Sequence, residues 1–423
     1  MKNYILKNAR VIDPGRNIDS VGDIGVCGKL IEEPSKLKDP EVIDLKGKVL
    51  SPGFIDLHVH LRQPGNTQAE TIATGTAAAA GGFTSVVAMP NTTPAADNAG
   101  AIEYLRQVAA SQGVVHVLPC GNMTKDGKGE EMAGIGSLKS AGVVALSDDG
   151  KCIQDHALMR HVVEYAKSFG LPILDHCEDN YLAAGGVMHE GKWSVLLGMN
   201  GMSGAAEELM IARNIILSRQ IDWQIHMQHV SVKESVELLR AARARGIKVT
   251  GEATPHHISL TDECIKHYDT NYKMNPPLRS ESDRLAVIEG IADGTLTAIA
   301  TDHAPHTRTA KEVEFDSAPC GIVGLETALP VSYTILVKGG VIALPQLIKL
   351  FTSGPAEILR FKDYSLAVGN VADITVIDPA AEYTVDKNTF RTKSRNTPFH
   401  GMPVQCRPVL TMVAGKIVHK EMV

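Results

Sequence analysis

The spacing of apolar and polar positions changes twice along the chain. Up to residue 52, short apolar pieces alternate with turn residues such as Asp13-Pro14-Gly15 and show no helical period, which indicates β-strands. Between residues 53 and 361, strand-like apolar runs alternate with runs that have a helical period. After residue 362 the strand pattern returns and ends in a hairpin whose turn is Ala414-Gly415. Both chain ends are therefore predicted to be β-rich.

Eight candidate strands follow one another in the central region, with helical runs between them. They cover residues 54–60, 85–91, 114–121, 143–149, 172–178, 223–230, 248–254 and 296–303. Eight such units predict an α/β fold with a parallel (β/α)8 TIM barrel. A doubly wound open sheet is the competing topology, and the absence of a Gly-x-Gly-x-x-Gly turn after the first strand favours the barrel.

The two β-rich ends are each too small to bury a good core alone. We therefore expect them to meet in one composite β-sandwich domain beside the barrel. This gives a predicted division into residues 1–52 plus 362–423 for the β domain and residues 53–361 for the catalytic barrel.

Composition and charge exclude several classes of protein. Hydrophobic residues make up 44% of the 423 residues without any long apolar run, so we expect no membrane span and no membrane partner. Lys2 and Lys7 precede any apolar run, so no signal peptide is expected. The net charge of −6 argues against a nucleic-acid partner. Seven cysteines without a Cys-x-x-Cys motif indicate free thiols in a reducing cytoplasm.

Polar side chains lie where several predicted strands end, which is the face of a barrel that carries active sites. His58 and His60 alternate along the first strand, so both should point to one face. Further candidates at the ends of the fourth, fifth, sixth and eighth strands are Asp148, Asp149, His176, His229 and Asp302. Imidazole and carboxylate ligands without thiolates suit zinc, with manganese, iron or cobalt as alternatives.

The number of these side chains favours two ions over one, because a single catalytic zinc usually takes three protein ligands. One ion would use His58, His60 and Asp302. The other would use His176 and His229. A carboxylate between them would bridge both ions: Asp149, the last residue before Gly150, is the preferred bridge and Asp148 the fallback.

Six stretches of the chain resemble the amidohydrolase superfamily and, within it, the bacterial type I dihydroorotases. They are residues 51–65, 88–92, 147–150, 273–279, 300–306 and 320–327. The first contains His58-Val59-His60-Leu61-Arg62, and the fifth is Ala300-Thr301-Asp302-His303-Ala304-Pro305-His306. The resemblance extends through the whole chain, including the split β domain.

The resemblance implies a role for each matching residue. The matches to the metal ligands are His58, His60, His176, His229 and Asp302, and the matches to substrate-holding residues are Arg62, Asn91, Asn275 and His306. Gly321 matches a backbone contact near the substrate ring. Many superfamily members carry a carboxylated lysine at the end of the fourth strand. This chain has Asp149 there, as some bacterial dihydroorotases do. Since an aspartate reaches less far, we expect one tightly and one weakly bound zinc ion.

The implied reaction is the interconversion of N-carbamoyl-L-aspartate and (S)-dihydroorotate in pyrimidine biosynthesis. A metal-activated hydroxide would attack the ring amide, and Asp302 would carry the proton to the leaving nitrogen. Arg62 and Asn91 would hold the substrate carboxylate, because a guanidinium binds a carboxylate through two parallel hydrogen bonds. The polar stretch 305–319 after the last strand is a candidate lid over the site.

Two other functions compete with this interpretation. A hydantoinase or allantoinase would share the barrel and the metals, but its substrates lack the carboxylate that Arg62 would bind. A non-catalytic scaffold for aspartate carbamoyltransferase would be expected to lose metal ligands, and none of the six is missing. The resemblance also implies a homodimer and is compatible with binding of aspartate carbamoyltransferase by the active enzyme.

Overall fold

The computed structural model describes residues 2–421, which form a barrel and a β domain. The first five strands are β1 (Asn3–Asp13), β2 (Ile18–Cys27), β3 (Leu30–Glu32), β4 (Glu41–Asp44) and β5 (Val49–Pro52). The barrel strands are β6 (Phe54–Val59), β7 (Phe83–Ala88), β8 (His116–Gly121), β9 (Ala145–Leu146), β10 (Ile173–Asp175), β13 (Ile225–Met227), β14 (Val249–Ala253) and β15 (Ala298–Ile299), with the short pair β11 (Met188–His189) and β12 (Gly201–Met202) between β10 and β13. The last strands are β16 (Ile374–Thr384), β17 (Pro403–Val413) and β18 (Lys416–Lys420).

Helices separate the barrel strands and continue after the last of them. They are α1 (Ile72–Ala79), α2 (Ala99–Gln112), α3 (Ile135–Ala141), α4 (His156–Ser168), α5 (Lys192–Leu197), α6 (Ala205–Ile221), α7 (Lys233–Ala244), α8 (Pro255–Ser259), α9 (Glu281–Ala292), α10 (Arg308–Lys311), α11 (Ala328–Ser332), α12 (Leu344–Phe351) and α13 (Ser353–Ile358). Within residues 2–421, none of these helices has the length and apolar character needed to cross a membrane.

The barrel contains all eight predicted strands, so the predicted fold class is confirmed. Its parallel strands lie in the order β6-β7-β8-β9-β10-β13-β14-β15. The first and last strands are joined by a parallel bridge between Val59 and His303 and by a hydrogen bond of 2.9 Å from the His60 backbone N–H to the His303 carbonyl. Four strands are much shorter than predicted, because the chain turns out of β9, β10, β13 and β15 where the polar site residues begin.

Both chain ends contribute to the β domain, as predicted. Its strands lie in the order β18-β17-β16-β5-β1-β2-β3, with β4 paired to β1. The antiparallel pair β5–β16 joins the two ends, with Leu50 opposite Val376. Because β5 bonds both β1 and β16, the hydrogen bonds of this domain run through one continuous set of strands.

Three aromatic rings pack where the first barrel strands begin. Phe54 stacks on Phe351 of α12 with ring centroids 5.2 Å apart, and Phe83 meets both rings edge-on. All three side chains are buried. This contact ties β6, which carries His58, to the helices that follow the barrel.

Replacing Phe54 by alanine should lower the free energy of unfolding by about 3–5 kcal/mol, because the change opens a cavity in a close-packed aromatic cluster. Denaturant unfolding of the variant and the parent protein measures this difference. Val21→Ala is the control, because Val21 is 75% exposed. A loss for Phe54→Ala no larger than that of the control would contradict the packing described.

Candidate active site

Six side chains from the predicted strand ends meet at one end of the barrel, and all six are buried. They are His58 in β6, His60 just after it, Asp149 after β9, His176 after β10, His229 after β13 and Asp302 after β15. His60 Nε2 lies 3.1 Å from Asp302 Oδ1, and His58 Nε2 lies 3.1 Å from Asp149 Oδ1. His176 Nδ1 lies 2.9 Å from His229 Nε2. The structure thus brings together all six side chains of the preferred ligand set.

The two neighbouring aspartates after β9 have different surroundings. Asp149 Oδ1 faces His58, and its Oδ2 lies 3.3 Å from His60 Nε2. Asp148 turns away and accepts hydrogen bonds from the backbone N–H groups of Met123 and Thr124 at 2.8 and 3.2 Å. The preferred bridging residue therefore lies in the cluster, whereas the fallback residue holds the loop after β8.

The cluster is built to stabilise positive charge. Burial alone would raise the pKa of Asp149, but the imidazoles of His58, His60 and His176 outweigh burial and hold that pKa well below its usual range. Burial lowers the pKa of His58, yet the carboxylates of Asp149 and Asp302 outweigh it and raise that pKa well above the ordinary value. A proton on His58, or a cation in its place, is thus stabilised at this position.

A divalent metal ion fits the donor atoms of this cluster. Two sets of three ligand atoms each lie within 4.8 Å of one another: one set is His58, His60 and Asp302, and the other is His58, Asp149 and His229. In the described part of the chain, the buried Nε2 atoms of His58 and His176 form no hydrogen bond of good geometry, although Asp149 Oδ1 lies 3.1 Å from the first and Glu178 Oε2 lies 3.5 Å from the second. Buried polar atoms without partners are costly, and a bound cation would satisfy them. The second set contains His58 in place of the expected His176.

Two residues outside the predicted site, Gln228 and Glu252, lie behind the His58 ring, and Gln228 Nε2 is 3.1 Å from its Nδ1. Glu252 Oε1 in β14 lies 3.5 Å from His58 Nδ1, and its other oxygen lies 2.9 Å from His226 Nε2. Burial raises the pKa of Glu252, but the bonds to His226 and His58 outweigh it and bring the pKa to about 2. An ionised carboxylate behind His58 directs Nε2 of that imidazole into the cluster. Sequence reasoning missed Glu252 because its strand offered no other polar residue of the site.

The amide of Asn91 bridges two candidate ligands. His60 Nδ1 lies 2.9 Å from Asn91 Oδ1, and Asn91 Nδ2 donates to Asp149 Oδ2 at 3.0 Å. The resemblance implies that Asn91 holds the substrate, and that role stays a prediction. In this structure its amide positions His60 and Asp149.

Three of the site residues have left-handed backbone conformations. The φ angles are 55° at Arg62, 33° at His229 and 47° at Asp302. Such angles are unfavourable for residues with a Cβ and are found preferentially at functional sites. Because β6 ends at Val59, strand alternation does not direct the side chain of Arg62. The local turn does so instead.

A cavity of about 230 Å³ opens above the cluster. Besides five of the six cluster residues, its lining includes Arg62, Asn91, Asn275, His306 and Gly321. All the residues predicted to hold the substrate therefore line the same cavity. Its volume equals that of roughly eight water molecules, which suits a small-molecule substrate.

The wall opposite the ligands is made by Arg62, His306 and Gly321. Arg62 Nε donates to the Pro305 carbonyl at 3.2 Å, and its Nη2 lies 3.5 Å from His306 Nε2, so the terminal nitrogens border the cavity beside His306. His306 Nε2 lies 2.7 Å from the Cys320 carbonyl. Burial and the neighbouring Arg62 charge lower the pKa of His306 to about 3, so this imidazole is neutral near pH 7.

Gly321 is required at its position for two reasons. Its φ is 115°, a conformation that residues with a side chain rarely adopt. A Cβ at this position would lie 2.5 Å from the Cβ of Ala304. The Gly321 N–H already donates to the Lys273 carbonyl at 2.9 Å. What this residue offers to a substrate is therefore space and one free lone pair on its carbonyl oxygen.

The segment 390–397, here called the strap, reaches this wall from the region between β16 and β17. Its Arg391 N–H donates to Glu326 Oε1 at 2.8 Å, and the Thr392 hydroxyl donates to the buried Glu70. Its Asn396 contacts the backbone of residues 304–306 and 321. Sequence reasoning assigned this region to the β domain and nominated none of its residues, because polar loop residues carry no periodic signal.

The candidate lid and a second histidine pair complete the surroundings. His256 and His257 are buried, and His257 Nε2 lies 3.1 Å from the Pro276 carbonyl, which is a structural contact. The stretch 305–319 contains α10 and is held by a hydrogen bond of 2.8 Å from Lys311 Nζ to the Pro319 carbonyl. Its movement as a lid stays a prediction.

Two family models match the chain. The model described as dihydro-orotase-like matches residues 47–235, and the model described as amidohydrolase family matches residues 287–419. A dihydroorotase from a Thermoanaerobacter species is 48% identical, with 99% of this chain and 97% of the relative covered. A dihydroorotase from Geobacter metallireducens is also 48% identical, with coverage of 99% and 100%.

Solved structures with this fold come from related enzymes. The L-hydantoinase (dihydropyrimidinase) from Arthrobacter aurescens superposes with a TM-score of 0.89 at 25% identity, covering 100% of this chain and 98% of the hydantoinase. The dihydropyrimidinase from Brevibacillus agri gives 0.86 at 24% identity, covering 99% and 95%. These structures support the barrel with its β domain, while the sequence relatives decide between families. The chain belongs to the dihydroorotase family of the amidohydrolases.

Proposed function

We propose that the chain is a dihydroorotase, a hydrolase that acts on a cyclic amide in pyrimidine biosynthesis. It would interconvert N-carbamoyl-L-aspartate and (S)-dihydroorotate. The observation that carries this proposal is the guanidinium of Arg62 beside the buried histidine–aspartate cluster, in a cavity of about 230 Å³. Full-length relatives at 48% identity that bear the name dihydroorotase support it.

The substrate has a carboxylate that needs a partner. The terminal nitrogens of Arg62 are suited to bind both carboxylate oxygens, and burial of the guanidinium strengthens that contact. Asn275 lies in the same wall, and its buried Oδ1 has no hydrogen-bond partner within residues 2–421, so it can accept one from a ring N–H. These two groups would fix the ring over the cluster.

Proton transfer is proposed for Asp302. A divalent ion held by the six cluster residues would polarise the ring carbonyl and lower the pKa of a water molecule to about 7. The Asp302 carboxylate lines the cavity and can accept a proton from the attacking water. It would return that proton to the ring nitrogen as the C–N bond breaks, and ring closure would use the same steps in reverse.

Zinc is the proposed ion, with two per subunit. The ligands are imidazole nitrogens and carboxylate oxygens, a set that zinc accepts readily. The two sets of three donors share His58, and Asp149 lies within 3.9 Å of His58, His60 and His176. Since Asp149 is shorter than a carboxylated lysine, the second ion would bind more weakly.

The domain division, the partners and the location are also proposals. The pairing of β5 with β16 supports a boundary at residue 53, with residues 1–52 plus 362–423 in the β domain and 53–361 in the barrel. Exposed apolar side chains at Tyr181, Val195 and Leu196 support a protein interface, either of a homodimer or with aspartate carbamoyltransferase. Seven free cysteines support a reducing cytoplasm.

Replacing Arg62 by alanine should reduce kcat/KM for L-dihydroorotate by about 100- to 1,000-fold, because a charge-assisted bidentate contact is lost. The kcat/KM of Arg62→Lys should lie between those of the parent protein and of Arg62→Ala, since lysine keeps the charge but lacks the planar guanidinium. The ultraviolet absorbance of L-dihydroorotate follows the reaction. Hydantoins and allantoin are assayed in parallel as alternative substrates.

The control for this experiment is Arg160→Ala, which removes a guanidinium from the exposed face of α4, where Arg160 pairs with Glu164. Its kinetic constants should equal those of the parent protein. Turnover of hydantoin but not of dihydroorotate by the parent protein would contradict the proposed substrate. An Arg62→Ala variant with parental kcat/KM would contradict the proposed clamp.

Asp149→Asn should weaken metal binding by at least about tenfold, because it removes the charge that faces three imidazoles. Metal content per subunit after dialysis, measured by mass spectrometry, tests this. Asp148→Asn is the matched control: it should keep the metal and lose about 1–3 kcal/mol of stability, since Asp148 holds the loop after β8. The opposite pattern would make Asp148 the bridging ligand.

A further inference from the structure

One buried amide connects the two loops that form the substrate wall. Asn396 in the strap is 5% exposed. Its Oδ1 accepts a hydrogen bond of 3.1 Å from the backbone N–H of His306. Its Nδ2 donates to the carbonyl of Ala304 and to the carbonyl of Gly321, each at 3.1 Å. Both amide hydrogens and the amide oxygen are therefore used, and every partner is backbone of the two loops.

The backbone of Asn396 extends this connection. The Val323 N–H donates to the Asn396 carbonyl at 2.9 Å, and the Ala304 N–H donates to the Ile322 carbonyl at 2.7 Å. The chain after β15 and the chain around Gly321 are thus joined by a backbone hydrogen bond, and the side chain of Asn396 adds further hydrogen bonds to both. Asn396 thus helps to hold Gly321 relative to His306, together with the contact of 2.7 Å between His306 Nε2 and the Cys320 carbonyl.

The strap itself is held at Glu326 and at the chain just before α1. Glu326 accepts the backbone N–H groups of Arg391 and Thr392, at 2.8 and 3.2 Å. The Ser394 hydroxyl donates to the Ala69 carbonyl at 2.6 Å, just before α1. Asn396 is therefore presented by a fixed segment, and its contacts transmit that fixed position to the wall of the cavity.

We propose that Asn396 is a positioning residue that holds His306 and Gly321 at the distance the substrate requires. The inference rests on the proposed function, in which these two residues face the substrate. It follows from the geometry that Asn396 acts on substrate affinity, because it lines up the wall and does not touch the metal ligands. A change at Asn396 should therefore alter KM more than kcat, and it should leave metal content unchanged.

Asn396→Asp is the sharpest variant, because it keeps the volume and the acceptor for the His306 N–H. It removes both donors, so a carboxylate oxygen would face the carbonyl oxygens of Ala304 and Gly321. We expect KM for L-dihydroorotate to rise about tenfold, since two buried hydrogen bonds are lost and repulsion replaces them. The change in kcat should be smaller than the change in KM.

The matched control is Asn388→Asp, eight positions earlier in the chain. Asn388 is exposed and bonds the side chain of Asp386 at 2.9 Å, whereas the Asn396 side chain is buried against the backbone of the wall. The chemical change is the same, and KM should stay at the parental value. A parallel KM rise in this control would overturn the inference, because it would trace the effect to charge near the cavity.

A double-mutant cycle tests whether Asn396 acts through the wall. In a His306→Ala background, Asn396→Asp should raise KM by less than about threefold, because one of the residues it positions is already gone. A full tenfold rise in that background would show independent action and would overturn the inference. So would a lower melting temperature with parental KM in Asn396→Asp, which is the pattern of a purely structural residue.

A second variant and the parent protein distinguish failure of this inference from a folding defect and from failure of the proposed function. If Asn396→Asp does not fold, Asn396→Ser, which keeps a small polar side chain, is measured, and a parental KM in that variant overturns the inference. If the metal-loaded parent protein does not turn over L-dihydroorotate, the proposed function fails and this inference fails with it. Parental turnover with unchanged KM in the Asn396 variants overturns this inference alone.

Discussion

Closure of the barrel between β6 and the chain after β15 is the constraint on which the site depends. The Val59–His303 bridge and the hydrogen bond from His60 N–H to the His303 carbonyl place the first and last barrel strands side by side. His60 and Asp302, 242 positions apart in sequence, come within 3.1 Å as a result. The aromatic cluster around Phe54 holds the other end of β6. Without this closure the ligands would not share one site.

Burying four imidazoles and two carboxylates is costly unless their charges compensate. Asp149 and Asp302 favour positive charge at His58, and so does Glu252, which lies 3.5 Å from the Nδ1 atom of the His58 ring. This balance leaves a place for a cation, and it explains why His229, whose pKa is lowered well below the usual value by burial and by its imidazole neighbours, stays neutral and able to bind metal. The fold therefore supplies the electrostatics that a divalent ion requires, while Arg62 supplies the charge that an anionic substrate requires.

Much of this arrangement could be predicted because its signals are local. Buried strands appear as apolar runs, and the ligands lie next to them, so the eight strands and the six cluster residues were within reach of the sequence. Long-range hydrogen bonds leave no such pattern. Asn396 meets the backbone of Ala304 across 92 positions, and Thr392 meets Glu70 across 322.

The same limit applies to geometry within the recognised motifs. The left-handed turn at Arg62 and the amide of Asn91 between His60 and Asp149 depend on packing around the site. The single sheet of the β domain depends on one strand, β5, having neighbours from both ends of the chain. Residue types alone do not determine these features.

The most direct test of the proposed metal site is a crystal structure of the zinc-loaded protein with anomalous scattering recorded at the zinc edge. We expect anomalous density within about 2.0–2.2 Å of the side-chain donors of His58, His60 and Asp302, with a second peak near Asp149 and His229 at high zinc concentration. Active protein whose anomalous density lies elsewhere, or that shows none in this cluster, would contradict it.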